Sequence, residues 1–219
     1  MIKISKRLKE IACLVDDNSK IVDIGCDHGL LDVYMVSNCS NLQVIATDLR
    51  KSALDNARYN VEKYNLTDRI ELRLGNGLNV VEGSEIDTII MAGIGAHTIV
   101  GILLNNLEKL KKVKTIIIQS NTNLDFLRKK ITSIGYYIEN EKLVKDANII
   151  YTIIKFRKGR RHYSRKELYF GPILIKENSD LFREKKQLDY SVLYNIYKNV
   201  PNSHFIYKLR LKFKLWLFK

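Results

Sequence analysis

The sequence contains only three cysteines among its 219 residues, and these lie far apart at Cys13, Cys26 and Cys39. None belongs to a Cys-x-x-Cys pair, and no histidine stands at a spacing typical of a zinc site. We therefore expect reduced thiols and no metal ion. The N-terminal segment carries positive charge but has no apolar core behind it, so it does not resemble a secretory signal, and we expect a cytoplasmic protein.

Long apolar runs of the kind that cross membranes are also scarce. Residues 88–104 contain no Asp, Glu, Lys or Arg and approach the length of a membrane span. Gly93, Gly95 and His97 interrupt this run, which favours a buried strand, a glycine turn and the start of a helix. No stable association with a membrane is expected.

Charge of one sign dominates only the C-terminal part of the chain. Residues 1–156 carry 21 Lys and Arg against 19 Asp and Glu, whereas residues 157–219 carry 16 against 5. A basic segment of this kind attracts a polyanion, most simply a nucleic acid. A solubilising tail or a tail that binds a membrane surface is the alternative.

Apolar runs alternate with helical patterns in the first part of the chain, which predicts a mostly parallel sheet with helices on both faces. The predicted strands cover residues 20–24, 43–48, 70–74, 88–92 and 115–119, followed by a hairpin of residues 136–144 and 149–156. The predicted helices cover residues 30–36, 52–64, 97–110 and 123–133, after a short N-terminal helix that carries Leu8, Ile11, Ala12 and Val15. Five strands and a hairpin are typical of the seven-stranded sheet of Rossmann-like class I methyltransferases, in which the last strand inserts antiparallel to its neighbours.

A basic linker at residues 157–161 marks the expected boundary between two parts of the chain. Residues 1–156 are predicted to form the catalytic domain, and residues 157–219 a basic, mainly helical extension. A helix is expected over residues 173–199, with Pro201 ending it. From Tyr207 onward apolar and basic residues alternate, so a strand, a basic interfacial helix and a flexible arm all remain open.

The segment that follows the first predicted strand points to a cofactor. Ligands of an open parallel sheet bind beyond the carboxyl ends of its strands, and here the strand leads into Asp23-Ile-Gly-Cys-Asp-His-Gly29. Its glycines allow the backbone to approach a ligand closely. The carboxylates of Asp23 and Asp27 suit the cationic end of S-adenosylmethionine and would repel a pyrophosphate, and the Gly-x-Gly-x-x-Gly pattern of dinucleotide-binding proteins is absent. We expect S-adenosylmethionine as the cofactor.

Residues after the second and third strands extend the predicted cofactor site. Asp48 ends the second strand, where a carboxylate can accept both hydroxyls of a ribose. Its alternative role is to cap the helix that follows. Gly75-Asn76-Gly77 places an amide where an adenine amino group could be read, although Asn-Gly is also a common turn.

Residues after the fourth and fifth strands are predicted to face the substrate. The small residues of Gly93-Ile-Gly95-Ala-His97 leave room for a planar group. Gln119-Ser-Asn121 offers two amides that can hydrogen-bond to the edge of a base or cap the next helix.

These motifs resemble those of the TrmK family, the bacterial tRNA adenine-N1 methyltransferases that modify adenine 22. The resemblance extends over about residues 5–185 and rests on Ser5-Lys-Arg-Leu8, Asp23-Ile-Gly-x-Asp-His28, Gly75-x-Gly-Leu78, Ala92-Gly-x-Gly95, Gln119-x-Asn121, Gly171-Pro172 and Lys176-Glu177. It implies a Rossmann-like catalytic domain, a helical C-terminal extension and tRNA as the substrate. The chain departs from the family at four positions. Asn76 stands where the family generally has Asp, Ser120 replaces a Pro, Ala96 replaces a Gly, and Thr152 replaces an acidic residue.

Together, the strand ends and the resemblance predict two sets of site residues. The expected cofactor-binding residues are Asp23, Gly25, Cys26, Gly29, Asp48, Leu49, Asn76, Gly77, Ala92, Gly93 and Gly95. The expected residues on the catalytic side are Asp27, His28, Gln119, Asn121 and Tyr151. Adenine N1 already has a lone pair, so the protein has to position groups and stabilise charge rather than activate a nucleophile.

Within the catalytic set, Asp27 could stabilise the cationic product or accept a proton from N6, and His28 is the other candidate. Tyr151 and the turn at residues 93–97 are expected to hold an extruded base. The alternatives are a methyltransferase acting on another RNA position or a small molecule, and a non-catalytic RNA-binding protein that keeps a Rossmann shell. An enzyme that uses a nicotinamide cofactor is a more distant alternative. For the oligomeric state, we expect a monomer.

Overall fold

The computed structural model of the protein describes residues 2–219 and divides the chain into two compact units. The first unit ends at His162, and the second comprises Tyr163–Lys219. Within residues 2–219, no helix combines the length and apolar character needed to cross a membrane.

The first unit is built on one seven-stranded sheet in the order β3-β2-β1-β4-β5-β7-β6. Its strands are β1 (Lys20–Ile24), β2 (Gln43–Asp48), β3 (Ile70–Leu74), β4 (Thr88–Ala92), β5 (Thr115–Gln119), β6 (Tyr136–Asp146) and β7 (Ile149–Lys158). Strands β1 to β5 are parallel, and β7 pairs antiparallel with both β5 and β6. The predicted fold class is confirmed, and strands β1 to β5 have the predicted bounds.

The sequence of the central strands explains why they occupy the middle of the sheet. Ile89, Ile90 and Met91 in β4 are fully buried, as are residues 116–118 in β5. Continuous β-branched and apolar runs suit strands that are covered by helices on both faces, because neither face meets water. The polar residues of these strands therefore collect at the strand ends, which is where a site can form.

Five helices cover the sheet: α1 (Lys6–Ala12), α2 (Leu30–Asn38), α3 (Lys51–Lys63), α4 (Ala96–Leu104) and α5 (Leu124–Ser133). Helix α4 ends at Leu104, so the predicted helix over residues 97–110 is too long. Asn105 is its C-cap, and the side-chain amide of Asn106 donates to the carbonyl of Ile102 at 2.9 Å. Such asparagine hydrogen bonds to the backbone compete with helix continuation.

The antiparallel hairpin is longer and tighter than predicted. Only Ala147 and Asn148 connect β6 to β7, and both have positive φ angles, of 46° and 64°. Two such residues are typical of the tight turns whose twist matches that of antiparallel strands. At the other end β7 continues to Lys158, and Arg157 pairs there with Glu139 and Asp16 at 2.9 Å each. The stretch at residues 157–161 therefore begins inside the sheet and is not solely a solvated linker.

The second unit is helical, with α6 (Arg165–Phe170), α7 (Pro172–Glu177), α8 (Asp180–Asn199) and α9 (Phe205–Trp216). The single helix predicted over residues 173–199 is wrong, because Asn178 adopts a left-handed conformation and Ser179 caps a new helix. Pro201 does follow the end of α8. Residues 205–216 form a helix, so the alternatives of a strand and a flexible arm are excluded for this segment.

A fully buried ion pair connects α5 to β6. The Arg128 Nε atom lies 2.7 Å from Glu141 Oε1, and the two side chains are 1% and 0% exposed. Each charge is tolerated at this depth because the other compensates it.

We predict that Glu141→Gln lowers the free energy of unfolding by about 3–5 kcal/mol, because it leaves the Arg128 charge buried without its counter-ion. Urea denaturation followed by circular dichroism measures this. The double variant Arg128→Met/Glu141→Leu should recover most of the loss. An equally large loss in the double variant would contradict this account.

Candidate functional site

The loop between β1 and α2 is fixed to the end of β2 by backbone hydrogen bonds. The N–H groups of Gly25 and Cys26 both donate to the Thr47 carbonyl, at 2.8 and 3.1 Å. Gly25 and Gly29 have φ angles of 78° and 64°, a conformation that side chains rarely adopt. A Cβ atom on Gly29 would lie 3.1 Å from the Cβ atom of Ala57. Both glycines are therefore needed to bring this backbone close to its surroundings.

Asp48 anchors the same loop through its carboxylate. Oδ2 accepts the Asp27 N–H at 3.2 Å, and Oδ1 accepts the Arg50 backbone N–H at 2.9 Å and its side-chain Nε at 3.3 Å. Burial opposes ionisation, but these hydrogen bonds and the Arg50 charge outweigh it and lower the pKa of Asp48. The N-cap of α3 is Arg50, so Asp48 does not have the alternative role of a helix cap.

Asp27 and His28 lie at the exposed rim of this loop. Asp27 pairs with Arg50 at 3.1 Å, and its other oxygen lies 3.5 Å from the His28 Nε2 atom. The His28 carbonyl accepts a hydrogen bond from the Asn60 side chain at 2.9 Å, which ties the loop to α3. Both predicted side chains thus share one charged surface with Arg50.

Asp23 lies beneath the loop, near an acid that the sequence reasoning missed. Asp23 and Asp32 are both buried and affect each other's ionisation, and neither carboxyl oxygen of Asp32 has a hydrogen-bond partner among the described residues. Burial and the nearby Asp48 charge raise the pKa of Asp23 to about 7, and burial next to Asp23 raises the pKa of Asp32 well above its usual range. Burial therefore opposes ionisation of both carboxyl groups. The only signal in the sequence was an acid in the first turn of α2, three residues after Gly29.

Cys26 is buried close to these acids, and its side chain is a neutral thiol. Burial, followed by the charges of Asp32, Asp23 and Asp48, raises the pKa of the thiol far above its usual range. Its contribution to the loop is the backbone N–H that donates to Thr47.

The remaining predicted cofactor residues follow the strand ends as expected. Leu49 is 68% exposed directly after Asp48, although it is a large apolar side chain. Asn76 is exposed. Gly77 has a φ angle of 53° and lies close to the side chain of Ile24. The others lie where β4 leads into α4: Ala92 ends the strand, Gly93 has a φ angle of 76°, and Gly95 is the N-cap of the helix.

A second cluster surrounds Gln119 at the carboxyl ends of β4 and β5. The buried Gln119 Oε1 atom accepts hydrogen bonds from the Gly93 N–H at 3.1 Å and from the Arg7 guanidinium. Its Nε2 atom donates to Asn121 Oδ1 at 2.7 Å. The Arg7 guanidinium also lies 5.3 Å from the centre of the Tyr151 ring. Gln119, Asn121 and Tyr151, predicted separately, thus belong to one cluster.

Arg7 joins this cluster, and the sequence reasoning did not select it as a site residue. Ser5 caps α1 by accepting the Leu8 N–H at 3.3 Å, and Asp146 accepts the Arg7 backbone N–H at 3.2 Å. These two contacts fix the start of the helix and direct Arg7 toward Gln119. The motif Ser5-Lys-Arg-Leu8 was visible in the sequence, but its neighbours are more than a hundred residues away.

His97 ends the turn that is predicted to hold the base, and its side chain contacts α5. Its ring stacks on Phe126 of α5, with centroids 4.4 Å apart and planes 26° apart. This contact commits one face of the imidazole to α5. Within residues 2–219 there is also no cluster of side chains able to hold a metal ion.

Comparisons with known proteins find a family model and curated relatives that match most of the chain. The family model TrmK, tRNA (adenine(22)-N(1))-methyltransferase, matches residues 21–213. The tRNA (adenine(22)-N(1))-methyltransferase of Bacillus subtilis is 28% identical over 208 residues, which cover 92% of this chain and 87% of that protein.

Several solved structures resemble the chain over nearly its whole length, among them two complexes. A Streptococcus pneumoniae protein in complex with S-adenosyl-L-methionine has a TM-score of 0.90 at 30% identity, covering 99% of this chain and 98% of that one. TrmK of M. capricolum in complex with S-adenosyl-homocysteine has a TM-score of 0.85 at 29% identity, covering 98% of this chain and 96% of that one.

We predict that Asp48→Asn weakens S-adenosylmethionine binding by about tenfold or more, because the variant loses a charged acceptor whose hydrogen bonds contribute about 1.5–3 kcal/mol each. Isothermal titration calorimetry measures this. The matched control is Asp55→Asn, which removes an exposed acid from α3 and should leave affinity unchanged. Wild-type affinity in Asp48→Asn would show that the cofactor is held elsewhere.

Proposed function

The chain belongs to the TrmK family of tRNA (adenine(22)-N(1))-methyltransferases, and we propose that it methylates N1 of adenine 22 in tRNA with S-adenosylmethionine. The observation that supports this most strongly is the cluster of Arg7, Gln119, Asn121 and Tyr151 beside Gly93. It places amide groups and an aromatic ring next to the predicted cofactor residues, as methylation of a base requires.

The residues at the ends of β1 and β2 fit S-adenosylmethionine. The ionised Asp48 carboxylate suits a ribose, and the exposed Leu49 offers an apolar surface for an adenine ring. Gly25 and Gly29 let the backbone approach the ligand, and the acids Asp23 and Asp48 favour its positive charge. When bound, S-adenosylmethionine supplies an electrophilic methyl group on a sulfonium.

Asp23 acts electrostatically in this proposal. The ionised fraction of its buried carboxyl group attracts the cationic end of the cofactor from beneath the loop. Cys26, Ala92, Gly93 and Gly95 contribute backbone or small side chains that leave space, and Asn76 supplies an amide after β3. Gly77 supplies the turn that places Asn76.

The cluster around Gln119 positions the target base. Gln119 Oε1 accepts hydrogen bonds from Arg7 and Gly93, and its Nε2 atom donates a hydrogen bond to Asn121 Oδ1. Asn121 therefore presents its own Nδ2 as a donor, which suits a ring nitrogen of adenine other than N1. The Tyr151 ring can contact the base while the reacting N1 lone pair points at the methyl group.

Asp27 stabilises the positive charge that the product adenine acquires. Its carboxylate lies at the rim of the glycine loop, and Arg50 holds it in place. No proton has to leave N1 before transfer, so this role is electrostatic. His28 assists by orienting Asp27 through their contact.

Residues 157–219 bind tRNA in this proposal, while residues 1–156 carry the methyl transfer. Sixteen Lys and Arg against five acids suit the phosphate backbone, whose neutralisation makes affinity strongly dependent on salt. We propose further that the protein acts in the cytoplasm as a monomer without stable membrane association.

The reaction is tested by incubating an unmodified tRNA transcript with the protein and S-adenosylmethionine. N1-methyladenine blocks base pairing, so we expect a reverse-transcription stop at adenine 22. A transcript with guanine at position 22 is the control and should give no stop. A stop at another position would contradict the target, and the absence of methylation would contradict the activity.

We predict that Arg7→Ala lowers kcat for tRNA methylation by about 10- to 100-fold, since small misplacements of positioning groups cost rates of this order. S-adenosylmethionine affinity should not change, and Arg7→Lys should recover part of kcat. Lys9→Ala, which removes an exposed cation from the same helix, is the matched control. A rise in KM for tRNA with unchanged kcat would show that Arg7 contributes only to tRNA binding.

A further inference from the structure

Trp216 is an exposed aromatic side chain near the end of α9, in the second compact unit. It is the only tryptophan of the chain, and 62% of its surface is exposed. Its ring stacks on Phe213, with centroids 5.9 Å apart and planes 28° apart. The Arg165 guanidinium lies 5.4 Å from the centre of the Phe213 ring. Phe213 thus supports one side of the indole, while much of the indole surface stays accessible to solvent.

Two grooves meet at Trp216, and cations line both of them. The larger groove, of about 650 Å³, includes Arg183, Lys186, Lys212 and Lys219. The smaller groove, of about 500 Å³, includes Arg165, Lys166 and again Lys219. Neither lining contains any of the five acids of residues 157–219. A chain that carries regularly spaced negative charge could therefore continue from one groove into the other past the indole.

We propose that Trp216 is a stacking platform for one unpaired base of tRNA, with the phosphates on either side held by the cations of the two grooves. An exposed aromatic ring beside a positively charged groove is how proteins bind single-stranded nucleic acid without reading its sequence. The base must be unpaired, because a base within a stacked helix offers no free face to an indole. The proposal rests on the proposed function, since it takes tRNA as the ligand.

The grooves distinguish this ligand from an anionic lipid surface. A bilayer is flat and would contact the exposed apolar face of α9, which includes Phe205, Ile206 and Leu209, without entering either groove. A flexible strand with a charge on every nucleotide can follow concave linings. Charge complementarity and groove shape therefore both favour RNA.

The single tryptophan allows the contact to be measured directly in the full-length protein. Titration with an unmodified tRNA transcript should quench the Trp216 emission, with saturation at the same concentration as binding followed by filter retention. Heparin, a polyanion without bases, should bind without this quenching. Binding of tRNA with unchanged emission would overturn the proposal. A blue shift of the Trp216 emission with phosphatidylglycerol vesicles, together with no change on addition of tRNA, would also overturn the proposal.

Variants at the platform separate stacking from charge. Trp216→Ala should weaken tRNA binding by about 5- to 150-fold, and Trp216→Phe should retain most of the affinity. The matched control is Leu209→Ala, since Leu209 lies on the same helix with the same 62% exposure but lines neither groove. An equal loss in Trp216→Ala and Leu209→Ala would overturn the proposal.

Salt dependence adds a readout that a merely structural role would not give. The plot of log affinity against log salt should keep its slope in Trp216→Ala, because the indole neutralises no phosphate. Lys212→Gln should reduce the magnitude of the slope by about one, because the variant loses one contact with a phosphate.

If the wild-type protein forms N1-methyladenine but Trp216→Ala binds tRNA normally, the platform fails and the proposed function stands. If Trp216 is quenched but no methylation occurs, the platform stands and the proposed activity fails.

Discussion

The candidate site depends on the hydrogen bonds that tie the first glycine loop to the end of β2. The Thr47 carbonyl accepts two backbone N–H groups from this loop, and the Asp48 carboxylate accepts a third. These contacts exist only because β1 and β2 are parallel and end at the same edge of the sheet. Asp48 is therefore a structural acceptor, and in the proposed function its carboxylate also binds the ribose. Its low pKa follows from the same hydrogen bonds that hold the loop.

The two halves of the site are assembled differently. The proposed cofactor half comes from consecutive strand ends and their loops, so short segments of chain determine it. The half proposed to face the substrate needs α1, the turn after β4, β5 and β7, which contribute Arg7, Gly93, Gln119 and Tyr151. The tip of the β6–β7 hairpin contributes Asp146, which fixes the start of α1. The antiparallel hairpin thus supports the site as well as completing the sheet.

Charge is divided between the two units in a way that suits their proposed ligands. The first unit gathers Asp23, Asp32 and Asp48 beneath and beside the glycine loop, which favours a cationic cofactor. The second unit lines its grooves with lysine and arginine, which favours a polyanion. Burial has a further effect in the first unit: it raises the pKa of both Asp23 and Asp32, because a buried carboxylate near another acid is costly to ionise.

The sequence by itself determined the seven strands, their order along the chain and the loop residues after them. Strand periodicity and turn residues are local properties, so β1 to β5 could be predicted to the residue. It did not determine the break at Asn178 or the end of α4, where single asparagines outweigh the helical pattern. Only the tertiary structure showed that Arg7 contacts Gln119, 112 positions away, and that Asp32 is buried near Asp23. Such partners meet through the packing of separate elements, and no local pattern encodes that packing.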